Sequence, residues 1–325
     1  MALPDGTDER VLTAASWLAD QTPVTPVVVA SKDPQRAADH ISVPLAPGVE
    51  TVTPQSLLAE GASASVLARG FAGRPAAELK ETEHESLYAA VAALAAGRVH
   101  AVVGGTSTPT ASVIRAGLRL LGLAPATHTV TSSFLLVLPA GQVLGFGDCA
   151  VVPEPDPEQL AEIAVATSST YQMLTGARPI VAMLSFSTKG SAEHARVDQV
   201  RRATGLIRER EPSLLVDGEL QFDAAYARDV GMRKAAGSPV AGRANVFIFP
   251  DLDAANIGCK IAERLGQAVA LGPILQGLAA PLNDLSRGCS ARDVAVMALV
   301  SAVQAVPRAS VAFLDEARGA TVTDQ

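Results

Sequence analysis

Short β-branched runs alternate along the chain with longer stretches in which apolar residues return every three or four positions. That alternation predicts an α/β protein. Val11, Leu12, Ala15 and Leu18 put a helix over residues 10–18, after an acidic turn at 5–9. Residues 26–30 read as a buried parallel strand. Leu79, Leu87, Val91 and Leu94 share one side of a helix over 79–96 that Gly97 can end. A strand over 99–103 stops at Gly104 and Gly105, and a helix over 110–121 is closed by Gly122. Further on, the pattern gives a strand at 129–138 and an Ala-rich helix at 157–175. A buried strand at 179–186 and a charged-faced helix at 198–210 follow. Strands at 214–217 and 244–249, a helix running into 251–265 and a last helix at 290–306 complete the reading.

Composition narrows the function classes. The chain has 325 residues, 48% of them hydrophobic and 18% charged, enough for a sizeable core and too apolar for wholesale disorder. Its formal net charge of −7 and 4% aromatic content lack the basic field and stacking surface of a nucleic-acid binder. Anionic ligands must therefore meet locally placed donors. The N-terminal residues carry no apolar core of a secretory signal, and the apolar stretch 294–306 is too short for a bilayer span, so a cytoplasmic protein without membrane contact is expected. Cys149, Cys259 and Cys289 are odd in number and widely spaced. They predict reduced, buried or semi-buried thiols rather than a disulfide framework.

The common nucleotide and metal motifs are absent: there is no GxGxxG opening a helix, no GxxxxGK[ST], no HExxH and no GxSxG, and the five histidines sit singly. Three hydroxyl-rich loops follow predicted strands. Residues 104–110 (GGTSTPT) include Ser107 and lead into a helix carrying Arg115. Residues 187–191 (STKGS) offer Lys189 as a point charge for phosphate. The most informative segment is 281–293, read as a loop that feeds the last helix. Ser290 with Asp293 three positions on is a capping-box pattern, which by itself needs no function. The functional reading adds the free N–H groups of a helix start, the planar fork of Arg287, the hydroxyl of Ser286 and the carboxylate of Asp293. Anion clamp, hydroxyl and base together suit acyl or phosphoryl transfer.

With these residues in view, the chain resembles the phosphate acetyl/butyryl transferase family over roughly 5–305. The resemblance is densest at 181–191 (VAMLSFSTKGS), 216–225 (VDGELQFDAA), 237–247 (GSPVAGRANVF), 249–252 (FPDL) and 283–288 (NDLSRG). It departs at the late-starting N-terminus, at Thr108 where many relatives have histidine, and at Ala236 in place of proline. The resemblance implies two α/β domains with a cleft between them, in an isocitrate/isopropylmalate dehydrogenase-like arrangement. Residues 1–127 plus 278–325 would form domain I, carrying Ser286, Arg287 and Asp293, and 128–277 an inserted domain II.

The resemblance further implies reversible acetyl transfer between acetyl phosphate and coenzyme A in a homodimer, with coenzyme A as substrate and no cofactor or metal. Transfer of butyryl or another acyl group is the alternative, since a methylene in a pocket is worth only about 1–3 kcal/mol. Ser286, Arg287 and Asp293 take the catalytic positions, and Arg69, Arg115, Ser107 and Lys260 the substrate-binding ones. Asp293 is expected to accept the thiol proton and Arg287 to hold the acyl phosphate. Ser286 is expected to orient the direct attack of the thiolate in a ternary complex. A metal-dependent 2-hydroxyacid dehydrogenase could share the fold, but Asp251 and Asp253 are the only close carboxylate pair in a suitable loop.

Overall fold

The computed structural model describes residues 1–30, 45–59, 61–73 and 85–306. The chain divides into two compact units, Met1–Leu121 with Ala280–Gln325, and Gly122–Ala279.

The first unit is built on a five-stranded parallel sheet in the order β11-β4-β1-β2-β3. Its strands are β1 (Ala2–Leu3), β2 (Val27–Val29), β3 (Glu50–Val52), β4 (Val102–Gly104) and β11 (Leu282–Asp284). Around it lie α1 (Glu9–Gln21), α2 (Pro54–Leu58), α3 (Gly61–Gly70), α4 (Glu85–Ala95), α5 (Thr110–Leu120) and α11 (Ala291–Ala305). The expected apolar stripe of α1 is buried at Val11, Leu12, Ala15 and Leu18, and Asp8 caps its first turn. Of the helix expected at 79–96, residues 79–84 lie outside the described residues. The rest is α4, and Gly97, at φ +72°, follows it.

One expectation is corrected here. Residues 282–284 are not loop but the buried strand β11, paired in register with β4. Three residues between Pro281 and the polar run that follows show no readable period; their pairing partner is some 180 residues away in sequence.

The second unit carries a mixed sheet in the order β10-β5-β6-β9-β7-β8. Its strands are β5 (Thr131–Val137), β6 (Val143–Gly147), β7 (Ile180–Leu184), β8 (Leu215–Leu220), β9 (Val246–Ile248) and β10 (Val269–Gln276). β10, β5 and β6 run antiparallel in succession, and β6, β9, β7 and β8 are parallel. The helices are α6 (Pro157–Thr175), α7 (Ala195–Arg210), α8 (Phe222–Tyr226), α9 (Arg228–Lys234) and α10 (Leu252–Arg264). The unit begins at Gly122 because residues 122–124 pair with 277–279: Ala124 N–H donates to Gly277 O and Ala279 N–H to Gly122 O. Its core holds Phe146, Phe247 and Phe249, with Phe146 and Phe249 centroids 5.0 Å apart.

Cys149 and Cys259, 110 residues apart, meet inside this unit as free thiols with sulfurs 3.3 Å apart. Burial pushes the Cys149 thiol well above its ordinary range. No helix among the described residues is long and apolar enough to cross a membrane.

Candidate active site

In the first unit, β11, β4 and β1 are neighbours in a parallel sheet, so the segments leaving their carboxyl ends lie side by side. Ligands of open α/β sheets bind at such an edge. The three segments are 285–290, 105–109 and 4–8.

They are knitted together by groups from the start of the chain. Asp5 accepts from four donors of the second loop. Its Oδ2 takes the N–H groups of Gly105 and Thr106, each at 3.0 Å, and its Oδ1 takes the hydroxyls of Ser107 at 2.7 Å and Thr108 at 2.9 Å. Arg10 spans the first two loops. Its Nη1 donates to the carbonyls of Arg287 at 2.7 Å and Cys289 at 3.0 Å, and its Nη2 to Thr106 O at 2.9 Å. Asp8 holds the same guanidinium at 2.6 and 3.0 Å. Burial alone would raise the Asp8 carboxyl, yet the hydrogen bonds from Arg10 keep it below its usual range.

Below the loops, Asp284 ends β11 and is buried. Thr110 donates to its Oδ2 at 2.5 Å, while Oδ1 is buried with no hydrogen-bond partner among the described residues. Burial pushes this carboxyl up to about 6, against the pull of the Thr110 bond and of the nearby Leu285 N–H and with help from Asp5. Gly105 passes directly over it at φ +100°. A Cβ there would stand 2.2 Å from Asp284 Oδ1 and 2.6 Å from Leu285 N, so only glycine lets the two loops approach this closely.

The sequence-derived candidates fall as follows. Ser286 and Arg287 are exposed on the loop after β11, and Ser286 Oγ accepts the Gly288 N–H at 3.3 Å. Asp293 lies in the first turn of α11, partly exposed. Its Oδ2 accepts from Ser290 N–H at 2.8 Å and from the Ser290 hydroxyl at 2.9 Å, and Ser290 Oγ caps the Asp293 N–H in return. The capping-box reading is thus realised, with Asp293 Oδ1 outside it. Ser107 is exposed on the loop after β4 and tied to Asp5. Arg69 is exposed in the last turn of α3 and Arg115 is exposed on α5. The guanidinium groups of Arg69, Arg115 and Arg287 have no hydrogen-bond or ion-pair partner among the described residues. Lys260 belongs to the second unit, exposed on α10 and paired with Glu263 at 2.9 Å.

The third hydroxyl-rich loop folds back on its own sheet. Lys189 Nζ donates to Asp217 at 2.6 Å and to Gly218 O at 2.8 Å, so its charge is neutralised within the unit. Asp251, weighed as half of a metal pair, instead caps α10 and pairs with Arg196 at 2.6 Å.

Sequence reasoning missed Asp5, Asp8, Arg10 and Asp284 as site residues. A signal existed for the first three: four charged residues within Asp5–Arg10, one residue past the apolar Ala2-Leu3. Their acceptors and donors, however, lie about 100 and 280 residues further on.

Residues 1–302 match the family described as phosphate acetyl/butaryl transferase. A phosphate acetyltransferase of Acetivibrio thermocellus is 41% identical over 311 residues, 94% of this chain and 93% of that protein. One of Thermoanaerobacterium thermosaccharolyticum is 40% identical over 311 residues, 94% of each. Among solved structures, the EutD phosphotransacetylase from Staphylococcus aureus superposes with a TM-score of 0.85 at 38% identity, covering 94% of this chain and 93% of that one.

Proposed function

The chain belongs to the phosphate acetyl/butaryl transferase family, and from that premise we propose that it is an acyltransferase moving an acetyl group reversibly between phosphate and coenzyme A. The observation that carries this reading is the similarity to phosphate acetyltransferases, near 40% identity over almost the full length of both chains.

The chemistry sets the residue roles. A coenzyme A thiol, with a pKa of about 8.5, is mostly protonated at neutral pH. Asp293 accepts its proton. The thiolate sulfur bonds to the acetyl carbonyl carbon, the bond from that carbon to the bridging oxygen breaks, and phosphate leaves with the electron pair. In reverse, phosphate oxygen attacks acetyl-CoA and the thiolate recovers its proton from Asp293. Arg287 holds the acyl phosphate and offsets the charge growing on the carbonyl and phosphate oxygens. Its guanidinium has no hydrogen-bond or ion-pair partner among the described residues, which supports that role, since a charge paired there would have to be released first. Ser286 orients the reacting groups by hydrogen bonding. Direct attack in a ternary complex is favoured over an acyl-serine because no His or Lys flanks Ser286 to activate it.

Arg69, Arg115, Ser107 and Lys260 complete the proposal as contacts to the phosphates of coenzyme A and acetyl phosphate. A cytoplasmic homodimer belongs to it as well. α10 and its C-cap residue Leu265 expose Ile257, Ile261 and Leu265 along one stripe, which a second copy laid antiparallel would cover.

Thioester formation from acetyl phosphate and coenzyme A, followed by absorbance without added metal, tests the activity. Turnover of acetyl phosphate is expected. Faster turnover of butyryl phosphate would replace the acetyl reading with a butyryl one, and no thioester with either would reject both. Mass-spectrometric detection of an acylated Ser286 would overturn direct attack.

A further inference from the structure

We infer that Arg10 is a positioning residue for acyl transfer: its guanidinium fixes the loop carrying Arg287 against the loop carrying Ser107. The inference rests on Arg287 being the acyl-phosphate clamp.

A guanidinium has five N–H donors in one plane. Here every one has an acceptor. Nε and one Nη2 proton go to the two oxygens of Asp8, at 3.0 and 2.6 Å. The Nη1 protons go to Arg287 O and Cys289 O, and the other Nη2 proton to Thr106 O. Asp8 fixes the plane of the fork from within α1's own N-cap, and the remaining edge of the fork reads carbonyls from two loops at once. Cys289 Sγ, 3.7 Å from Nη1, adds a further contact on the same side. The carbonyl held at 2.7 Å belongs to Arg287 itself, so the bond sets the backbone from which the clamp's side chain springs.

The neighbouring Asp5 closes the second loop on itself through four hydrogen bonds, which makes Thr106 O a rigid anchor rather than a second mobile end. A reacting group displaced by about 1 Å can lose ~100-fold in rate. A lysine cannot imitate the arrangement, because its three donors radiate from one atom and cannot span carbonyls on two loops and a carboxylate.

The test is a double-substitution cycle in the full chain, with Arg10→Gln, Arg10→Lys, Arg287→Gln and the Arg10→Gln/Arg287→Gln pair. Arg10→Gln is expected to lower kcat by roughly 10–100-fold, with the KM for coenzyme A changed by less than about 3-fold, because the bonds Arg10 makes are to protein backbone and Asp8. Arg10→Lys should lose nearly as much. The pair should be no slower than Arg287→Gln alone, because a brace has nothing left to position once the clamp is gone.

A kcat for Arg10→Gln within about 2-fold of the parent, beside a crippled Arg287→Gln, would overturn the inference and leave the proposed function standing. Additive losses in the pair would overturn it too, by showing that Arg10 acts independently of the clamp. Full activity of Arg287→Gln would reject the clamp assignment, and the inference with it. If neither Arg10 variant keeps the parent's circular dichroism spectrum, Arg10 is a folding residue and the inference is likewise overturned.

Discussion

Asp284 is a carboxyl that the fold prefers protonated. It is buried at the end of β11, one oxygen bonded to Thr110 and the other without a partner among the described residues. Its pKa of about 6 lies above the value near 3.9 of an unfolded aspartate, so the folded chain binds the proton more tightly. The contribution of this group to stability is therefore present at low pH and is lost as pH rises from about 4 through about 6. Asp8, Asp217 and Glu219 are shifted the other way, so the raw pH profile of the protein mixes both signs. The difference from Asp284→Asn isolates one group. We expect that variant to gain on the parent between pH 4.5 and pH 7, by an amount on the order of 2 kcal/mol in urea unfolding. A pH-independent difference would contradict the shift. At Arg287 the expectation concerns rate: Arg287→Gln should lose about 10²–10³ in kcat, the typical effect of removing one preorganised donor. Ser286, Arg287 and Asp293 stand out as candidates in the sequence because a hydroxyl, a fork and a carboxylate lie together within eight residues. Asp5, Asp8 and Arg10 were not, because each is an ordinary polar residue until the fold brings its partners across.

At the scale of elements, helices with local stop and start signals were the readable ones. α6 is capped by Asp156, with Pro157 first in the helix and Gln159 closing a capping box, and Gly176 at φ +69° caps its other end. All of that information lies within the helix and its flanks. Strands β1, β3 and β11 have two or three residues each, too few for a period of two to register, and they exist only through pairing with distant neighbours. The end of α11 nearest the site offers a separation of roles that bears on the base assignment. Ser290→Ala removes the side-chain cap and should cost about 1 kcal/mol of stability, read as a lowered melting temperature. Asp293→Asn keeps the Ser290 Oγ bond to the backbone N–H and should cost less in stability while abolishing most turnover at neutral pH. Full turnover of Asp293→Asn would reduce that residue to a capping role.

At the scale of the whole molecule, the alternation of strands and helices announced α/β, but not which strands share a sheet. β1 joins β2 and β4 although 102 lies a hundred residues away, and no local pattern encodes that order. The outer surface is likewise undecided by periodicity, because an apolar stripe reads the same whether it faces a core or another molecule. On α10 the buried side is Ala255 and Cys259, while Ile257, Ile261 and Leu265 stand 58%, 53% and 80% exposed. Val269 on the edge strand β10 is 55% exposed as well. Scattered apolar residues on a surface need no explanation, but three in register at spacings of four, two on one helix and the third at its C-cap, form a ridge. A two-fold axis across that ridge at Ile261 would set Ile261 against its own counterpart and Ile257 of one copy toward Leu265 of the other. Burying a carboxylate against the same carboxylate is unfavourable, so Ile261→Asp should split a dimer formed here. We expect the parent to sediment as a dimer at micromolar concentration and Ile261→Asp as a monomer with the parent's circular dichroism spectrum. An unchanged dimer in the variant would move the interface to another face, and a parent that sediments as a monomer would remove the second copy from the proposal altogether.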